Sequence, residues 1–305
     1  MPATNPLLHV PLSDTNETLL HSYDRALRAR NASPRTRQSY REAAVMFAAF
    51  LDGADLESAT KPDVERFMAF LLERHSSTTA AVRFRALRAM YSWAVVEDLI
   101  VSSPVAGMRA PTVRQEPVDV LSDDDLRALL STCSGRSYED RRDTALIRLF
   151  IDTGGRLSEI VRLRLDDVDM RQDQVTFLGK GNKVRVVPMG TRTAQAVERF
   201  LRARKLHPAA SIPEVFIGGR GGPLTPSGVA QMLRRRAEQA GLGKVHPHMF
   251  RHTAAHYAAS HGMGDDSLMR LMGWTSREML NRYGASAGEE RARGAHRSLA
   301  PGDRV

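Results

Sequence analysis

Four short stretches in the second half of the chain hold side chains that can bind an anion, move a proton or attack an electrophile. In "TGGRLSEIVRL", Gly154 and Gly155 turn the chain into a helix whose first residues include Arg156. Backbone N–H groups at a helix start and a neighbouring guanidinium converge on one point, which makes a good anion site. Glu159, one helical turn on, is placed to pair with Arg156 or with a histidine from elsewhere. In "GKGNK", glycines flank Lys180. Its ammonium is either a solvated turn lysine or a group free to enter a groove and meet a departing oxygen.

The third stretch, "HPHMFRHTAAHYAASHG", sets His248 and Arg251 three apart on one side of a helix start, with His252 and His256 following. Histidines at i and i+4 suggest zinc, but Thr253 stands where a zinc hydrolase motif needs glutamate, and no carboxylate has third-ligand spacing. A phosphate clamp at Arg251 with His248 as proton handler needs no metal. In "LMRLMGWTSREMLNRYGAS", the indole of Trp274 can donate a hydrogen bond but take up no proton. Tyr283 sits in a polar stretch; its hydroxyl becomes a nucleophile only on losing a proton from a reference pKa of about 10, and an ordinary core tyrosine is the alternative.

The elements that must carry these residues fall into two parts. Residues 12–103 read as helices alone: one around "ETLLHSYDRALRAR", one started by Ser33 and Pro34, one started by Thr60 with Asp63 at its first turn, and "TTAAVRFRALRAMYSWAVVEDL". The last carries an apolar stripe (Val82, Leu87, Met90, Trp93) beside Arg83, Arg85 and Arg88, which face either solvent or a nucleic-acid groove. Residues 104–119, rich in proline and without helical period, read as a linker. A second domain, 120–290, opens with a capping box at Ser122 and Asp125 and contains a β-hairpin in "QVTFLGKGNKVRVVPMG". A further helix starts at Thr225–Pro226 and stops at Gly241, and residues 291–305 form a tail. The predicted fold is therefore mainly α with a small β-hairpin or sheet: a helical bundle followed by a mixed α/β domain.

Composition narrows the partner. The formal charge is +9, from 44 Lys and Arg against 35 Asp and Glu, and most of the basic residues are arginine, which suits bidentate phosphate contact. Nucleic acid is the expected partner and a membrane is not. No apolar run approaches bilayer length, and the N-terminus lacks the basic-then-apolar order of a signal peptide. One cysteine, Cys133, fits a reducing cytosol and reads as a small helix-end residue.

Taken as a set, Arg156, Lys180, His248-x-x-Arg251, Trp274 and Tyr283 resemble, in order and context, the tyrosine recombinases or phage-integrase family, especially its shorter Xer-type members. The resemblance spans about residues 14–290. It implies an N-terminal core-binding bundle and a catalytic domain that cleaves and rejoins DNA through a 3′-phosphotyrosyl intermediate and a four-way junction. It further implies Arg156, Lys180, His248, Arg251, Trp274 and Tyr283 as catalytic residues, with Glu159 orienting His248 and His252 in support. Arg83, Arg85, Arg88, Lys183 and Arg185 would lie on double-stranded DNA carrying an inverted-repeat site. The protein would be a cytoplasmic homotetramer on DNA, alone or with a second related recombinase, and would need neither metal nor cofactor. In relatives a tail like 291–305 packs on the neighbouring protomer. Two departures stand out: Gly155 replaces a more usual apolar residue, which would loosen the approach to Arg156, and Trp274 replaces the commoner histidine. A type IB topoisomerase and a DNA-binding regulator without catalysis are the competing readings.

Overall fold

The computed structural model describes residues 11–113, 119–179, 184–219 and 221–280, together with 296–297 and 302. The chain divides into two compact units, Met1–Glu116 and Pro117–Val305.

In the first unit, side-chain caps start the helices where local chemistry places them. Helix α1 (Asp14–Ala29) begins at Ser13, whose hydroxyl accepts from the Asn16 N–H, and α2 (Pro34–Phe50) begins at Ser33, which accepts from Thr36. For α3 (Lys61–Arg74) the Asp63 carboxylate accepts from the Thr60 N–H at 2.8 Å, and for α4 (Ser77–Val96) the cap is Ser76. The helices bury Phe47, Phe67, Leu71, Phe84, Leu87 and Tyr91 against one another. Asn16 is buried with them because both ends of its amide are used: it accepts from Leu56 N–H at 2.8 Å and donates to the Ala54 carbonyl at 3.1 Å. Val82, expected on the apolar stripe, is 37% exposed. Five positions before Leu87 is about 140° round the helix, so the buried face runs through Ala80, Phe84 and Leu87 instead.

The second unit opens with α5 (Asp123–Ser131), capped by Ser122 and Asp125. It continues through α6 (Tyr138–Thr153) and the short α7 (Leu157–Val161) to three antiparallel strands in the order β1 (Val168–Asp169), β2 (Gln174–Leu178) and β3 (Val184–Pro188). The register sets Val175 opposite Val187 and Phe177 opposite Arg185, so these four share one face. Helices α8 (Thr191–Arg204), α9 (Pro226–Gln239), α10 (Pro247–Ser260) and α11 (Asp265–Met272) complete it. Residues of α6, α8, α9 and α10 join Val175 and Phe177 in a single core. Among the described residues no helix is long and apolar enough to cross a membrane.

Helix α6 is the central support, and its charged neighbourhood is assembled from residues more than ninety positions apart, beyond any local sequence signal. The Asp143 carboxylate on it is fully buried and takes Arg142 at 2.8 Å, Arg235 at 2.9 Å and Arg236 at 2.8 Å. Burial of that charge is tolerated only because it is paired, and removing the acid would strand cations inside the protein.

Candidate active site

The C-terminal end of α6 is shaped by its cap. Gly154 adopts the left-handed conformation (φ 54°), and a Cβ there would meet the Met272 sulfur at 2.9 Å, so both backbone angle and packing demand glycine. At Gly155 a Cβ would stand 2.9 Å from Ile160 Cγ1 and 3.1 Å from Phe177 Cζ. The expected loosening at Gly155 is therefore corrected: the glycine lets α7 pack tightly on β2. Gly155→Ala is expected to lower unfolding free energy by about 1–3 kcal/mol through overpacking. Chemical denaturation measures this, and an unchanged midpoint would refute the tight packing.

Arg156 follows as the N-cap of α7. Its backbone N–H donates to Glu159 Oε2 at 2.7 Å, its Nη1 to Oε1 at 2.8 Å, and its Nη2 to the Gly273 carbonyl at 3.2 Å. The side chain remains 39% exposed, so the guanidinium is held from behind and still open to a ligand.

Glu159 makes the other half of this arrangement with Arg185, whose Nη1 and Nη2 each donate to it at 2.7 Å. The carboxylate thus accepts from two arginines, and the expected role of orienting the His248 imidazole is corrected. Arg185 is reassigned as well. Expected on DNA, its side chain is 10% exposed, lies over the Phe177 ring and donates to the Leu271 carbonyl at 3.1 Å. Strand alternation carried the signal: Val187 is an inward position, and two residues earlier is Arg185.

Burial alone would raise the Glu159 pKa, but the hydrogen bonds from Arg185 and from the Arg156 N–H outweigh it and hold it at about 2. A depressed carboxyl contributes stability above its ordinary value of 4.5 and loses it as pH falls toward 2, on the order of 3 kcal/mol. The stability gap between wild type and Glu159→Gln is therefore expected to be widest above pH 4.5 and to shrink toward pH 2. A gap independent of pH in urea titrations would contradict the paired, ionised state.

Arg251, on α10, is 2% exposed and spans two loops: Nη1 donates to the Gly154 carbonyl at 2.7 Å and Nη2 to the Met272 carbonyl. Its guanidinium lies 5.7 Å from the Trp274 ring centre. Trp274 follows α11, whose end is turned by Gly273 in the left-handed conformation, and the Trp274 backbone N–H donates to the Met269 carbonyl. Arg156 and Arg251 are thus moored on adjacent carbonyls, Gly273 and Met272, directly before Trp274. His248 is exposed in the first turn of α10, and the buried His252 meets it edge to face with ring centres 5.0 Å apart. Thr253 accepts from the Leu121 N–H at 2.9 Å.

A cavity of about 1130 Å³ opens beside these groups, walled by Arg156, Arg185, Gly273 and Trp274 and by Gly179 and Val184, the residues either side of 180–183. Lys180, Lys183 and Tyr283 lie outside the described residues. Of the arginines expected on DNA in the first unit, Arg83 is turned to Glu42 and the Ser39 carbonyl, while Arg85 and Arg88 are exposed. Cys133 is buried, and that burial pushes its thiol pKa up, as suits a packing residue. Among the described residues no three His, Cys, Asp or Glu side chains gather at metal-binding distance.

In a helical unit followed by a helical domain with a small antiparallel sheet, separated arginines converge beside an open cleft, the arrangement of an enzyme that handles a phosphate group. Residues 119–290 match the phage integrase family and residues 19–100 the phage integrase N-terminal SAM-like domain. The chain belongs to this family, the tyrosine recombinases, which catalyse DNA cleavage and religation. Tyrosine recombinase XerD of Mycobacterium leprae is 31% identical over 283 residues, covering 85% of this chain and 90% of that protein. XerC of Staphylococcus epidermidis strain RP62A is 29% identical over 258 residues, covering 83% and 87%. The same fold occurs in the Tn1549 transposon integrase in complex with transposon right end DNA, with a TM-score of 0.74 at 21% identity over 90% of this chain and 99% of that one. It occurs also in the XerH recombinase bound to palindromic difH substrate, with a TM-score of 0.73 at 18% identity over 91% and 83%.

Proposed function

We propose that this Xer-like site-specific recombinase cuts one DNA strand by attack of the Tyr283 hydroxyl on a phosphodiester, leaving a 3′-phosphotyrosyl ester and a free 5′-hydroxyl. A bond forms between the tyrosine oxygen and phosphorus, and the bond from phosphorus to the 5′-oxygen breaks. His248 accepts the tyrosine proton, and Lys180 protonates the departing oxygen. Arg156 and Arg251 neutralise the extra charge on the five-coordinate phosphorus, with the Trp274 indole N–H donating to the same group. The ester keeps the energy of the broken bond, so a 5′-hydroxyl from another strand reverses the step without ATP.

The observation that carries this reading is the convergence of Arg156 and Arg251 on the adjacent carbonyls of Gly273 and Met272, next to Trp274 and the open cavity. Four protomers on two inverted-repeat sites in double-stranded DNA, each giving one tyrosine, would exchange strands through a four-way junction in the cytoplasm, with or without a second related recombinase. Residues 12–103 would grip the duplex, with Arg85 and Arg88 exposed for phosphate contact and Lys183 adding another, and 104–119 would link them to the catalytic domain.

Covalent trapping tests the proposal. The protein is mixed with fragmented DNA of its source and denatured, and the DNA ends attached to protein are sequenced. A short inverted repeat should be enriched. Relaxation of supercoils without sequence preference would favour the topoisomerase reading instead.

A further inference from the structure

Away from the catalytic cleft, the second unit contains another concave, strongly basic site. A cavity of about 650 Å³ lies along α6 and α8 and under the loop joining α5 to α6. Six arginines line it: Arg136, Arg141 and Arg148 on one side, Arg192, Arg199 and Arg202 on the other. No Asp or Glu lines it, and it shares no lining residue with the catalytic cavity. The Gly190 N–H at the start of α8 donates to Asp152 near the end of α6, and Tyr138 at the start of α6 packs on Phe200 late in α8, so the helices run antiparallel. Arg141 and Arg148 are seven residues apart, as are Arg192 and Arg199. Each pair therefore sits on one helix face about 10 Å apart, giving two facing rows of guanidinium groups.

What sets this cavity apart is that five of its six charges are not neutralised. Elsewhere in the unit, Arg142, Arg235 and Arg236 share Asp143, and Arg156 and Arg185 share Glu159. Here only Arg202 has a carboxylate, Glu198 at 3.7 Å, while the side chains of the other five make no ion pair or hydrogen bond among the described residues. Concentrating like charges in a concavity raises the local potential and draws in an anion of high charge density.

We propose that this groove binds a linear polyphosphate group, such as inorganic tripolyphosphate or the triphosphate of a nucleotide. The guanidinium fork matches phosphate oxygens in pairs, and successive phosphates would bridge the two rows. The volume falls in the ordinary range of small-molecule pockets, roughly 300–1,000 Å³. A DNA duplex carries its phosphates on the outside of a stiff rod, so it can touch the rim of such a groove but not fill it.

Isothermal titration of the full chain with tripolyphosphate, ATP, orthophosphate and adenosine tests this, alongside a nonspecific duplex. Tripolyphosphate and ATP should bind at least about tenfold more tightly than orthophosphate, and adenosine should not bind. Equal affinities for the two would assign the phosphate chain itself; tighter ATP would assign a nucleotide. The double variant Arg148→Gln with Arg199→Gln should lose about tenfold or more in affinity for either, whereas Arg156→Gln should retain it. Should the first pair fail to fold, Arg136→Gln with Arg192→Gln carries the same measurement. Unchanged binding in the groove variants, loss in Arg156→Gln alone, or weaker duplex binding with tripolyphosphate binding intact would each overturn the proposal.

Discussion

No covalent protein–DNA adduct is expected from Tyr283→Phe, while wild type yields one under the same denaturing recovery. The substitution removes only the oxygen that would join phosphorus. Every group proposed to stabilise charge or move protons remains, so duplex binding should stay within a few-fold of wild type. The comparison thus separates loss of the nucleophile from loss of the complex. An adduct formed equally well by Tyr283→Phe would move the nucleophile to another residue and sink the assignment. Absence of adduct with both proteins, each still binding DNA, would raise the regulator reading.

The second large effect is expected at Arg251. Arg251→Lys keeps a positive charge at a position only 2% exposed, but an ammonium on a flexible stem cannot hold the fixed planar fork that bridges the carbonyls of Gly154 and Met272. Strand cleavage should fall by roughly 10³-fold, the scale set by arginines that stabilise phosphoryl-transfer transition states. Affinity for duplex should change little. Cleavage within about tenfold of wild type, measured on a nicked or suicide duplex in single turnover, would show that Arg251 only ties the loops together. Lysine is the informative substitution, because alanine would also leave both carbonyls unpaired and open a void around the Trp274 ring.

These two experiments address different links. Tyr283 stands on its polar setting and on its place after Arg156, Lys180, the His-x-x-Arg segment and Trp274. Arg251 is supported by geometry: with Arg156, 95 residues away in the chain, it ends on neighbouring carbonyls of one loop.

Much of the architecture was legible because its signals are short-range. A capping serine or threonine acts on the N–H three residues ahead, and an acid at the third helical position acts back on the N-cap N–H, so Ser33, Ser122 and Thr225, and Asp63 with Thr60, mark helix starts without reference to the rest of the fold. The two β-rich runs around Gly-Lys-Gly-Asn likewise announce β2 and β3, though not the brief β1 beside them. The order of chemistry-bearing residues was legible for the same reason, since it is a property of the string.

Tertiary structure decided where each charged side chain spends its donors. Glu159 and Arg185 are 26 residues apart, Arg156 and Gly273 117, and nothing local dictates that they meet. A basic residue on a strand was therefore expected on DNA when its guanidinium is in fact turned inward, and a carboxylate expected beside a histidine holds two arginines. Only the folded chain could reveal that Gly155 is required by Ile160 and Phe177, or that five of the six arginines lining the groove between α6 and α8 are left without acids while others nearby are paired. The physical reason is common to all: hydrogen-bonded caps are settled within one helical turn, whereas burial, ion pairing and the potential of a cavity depend on which distant segments pack together.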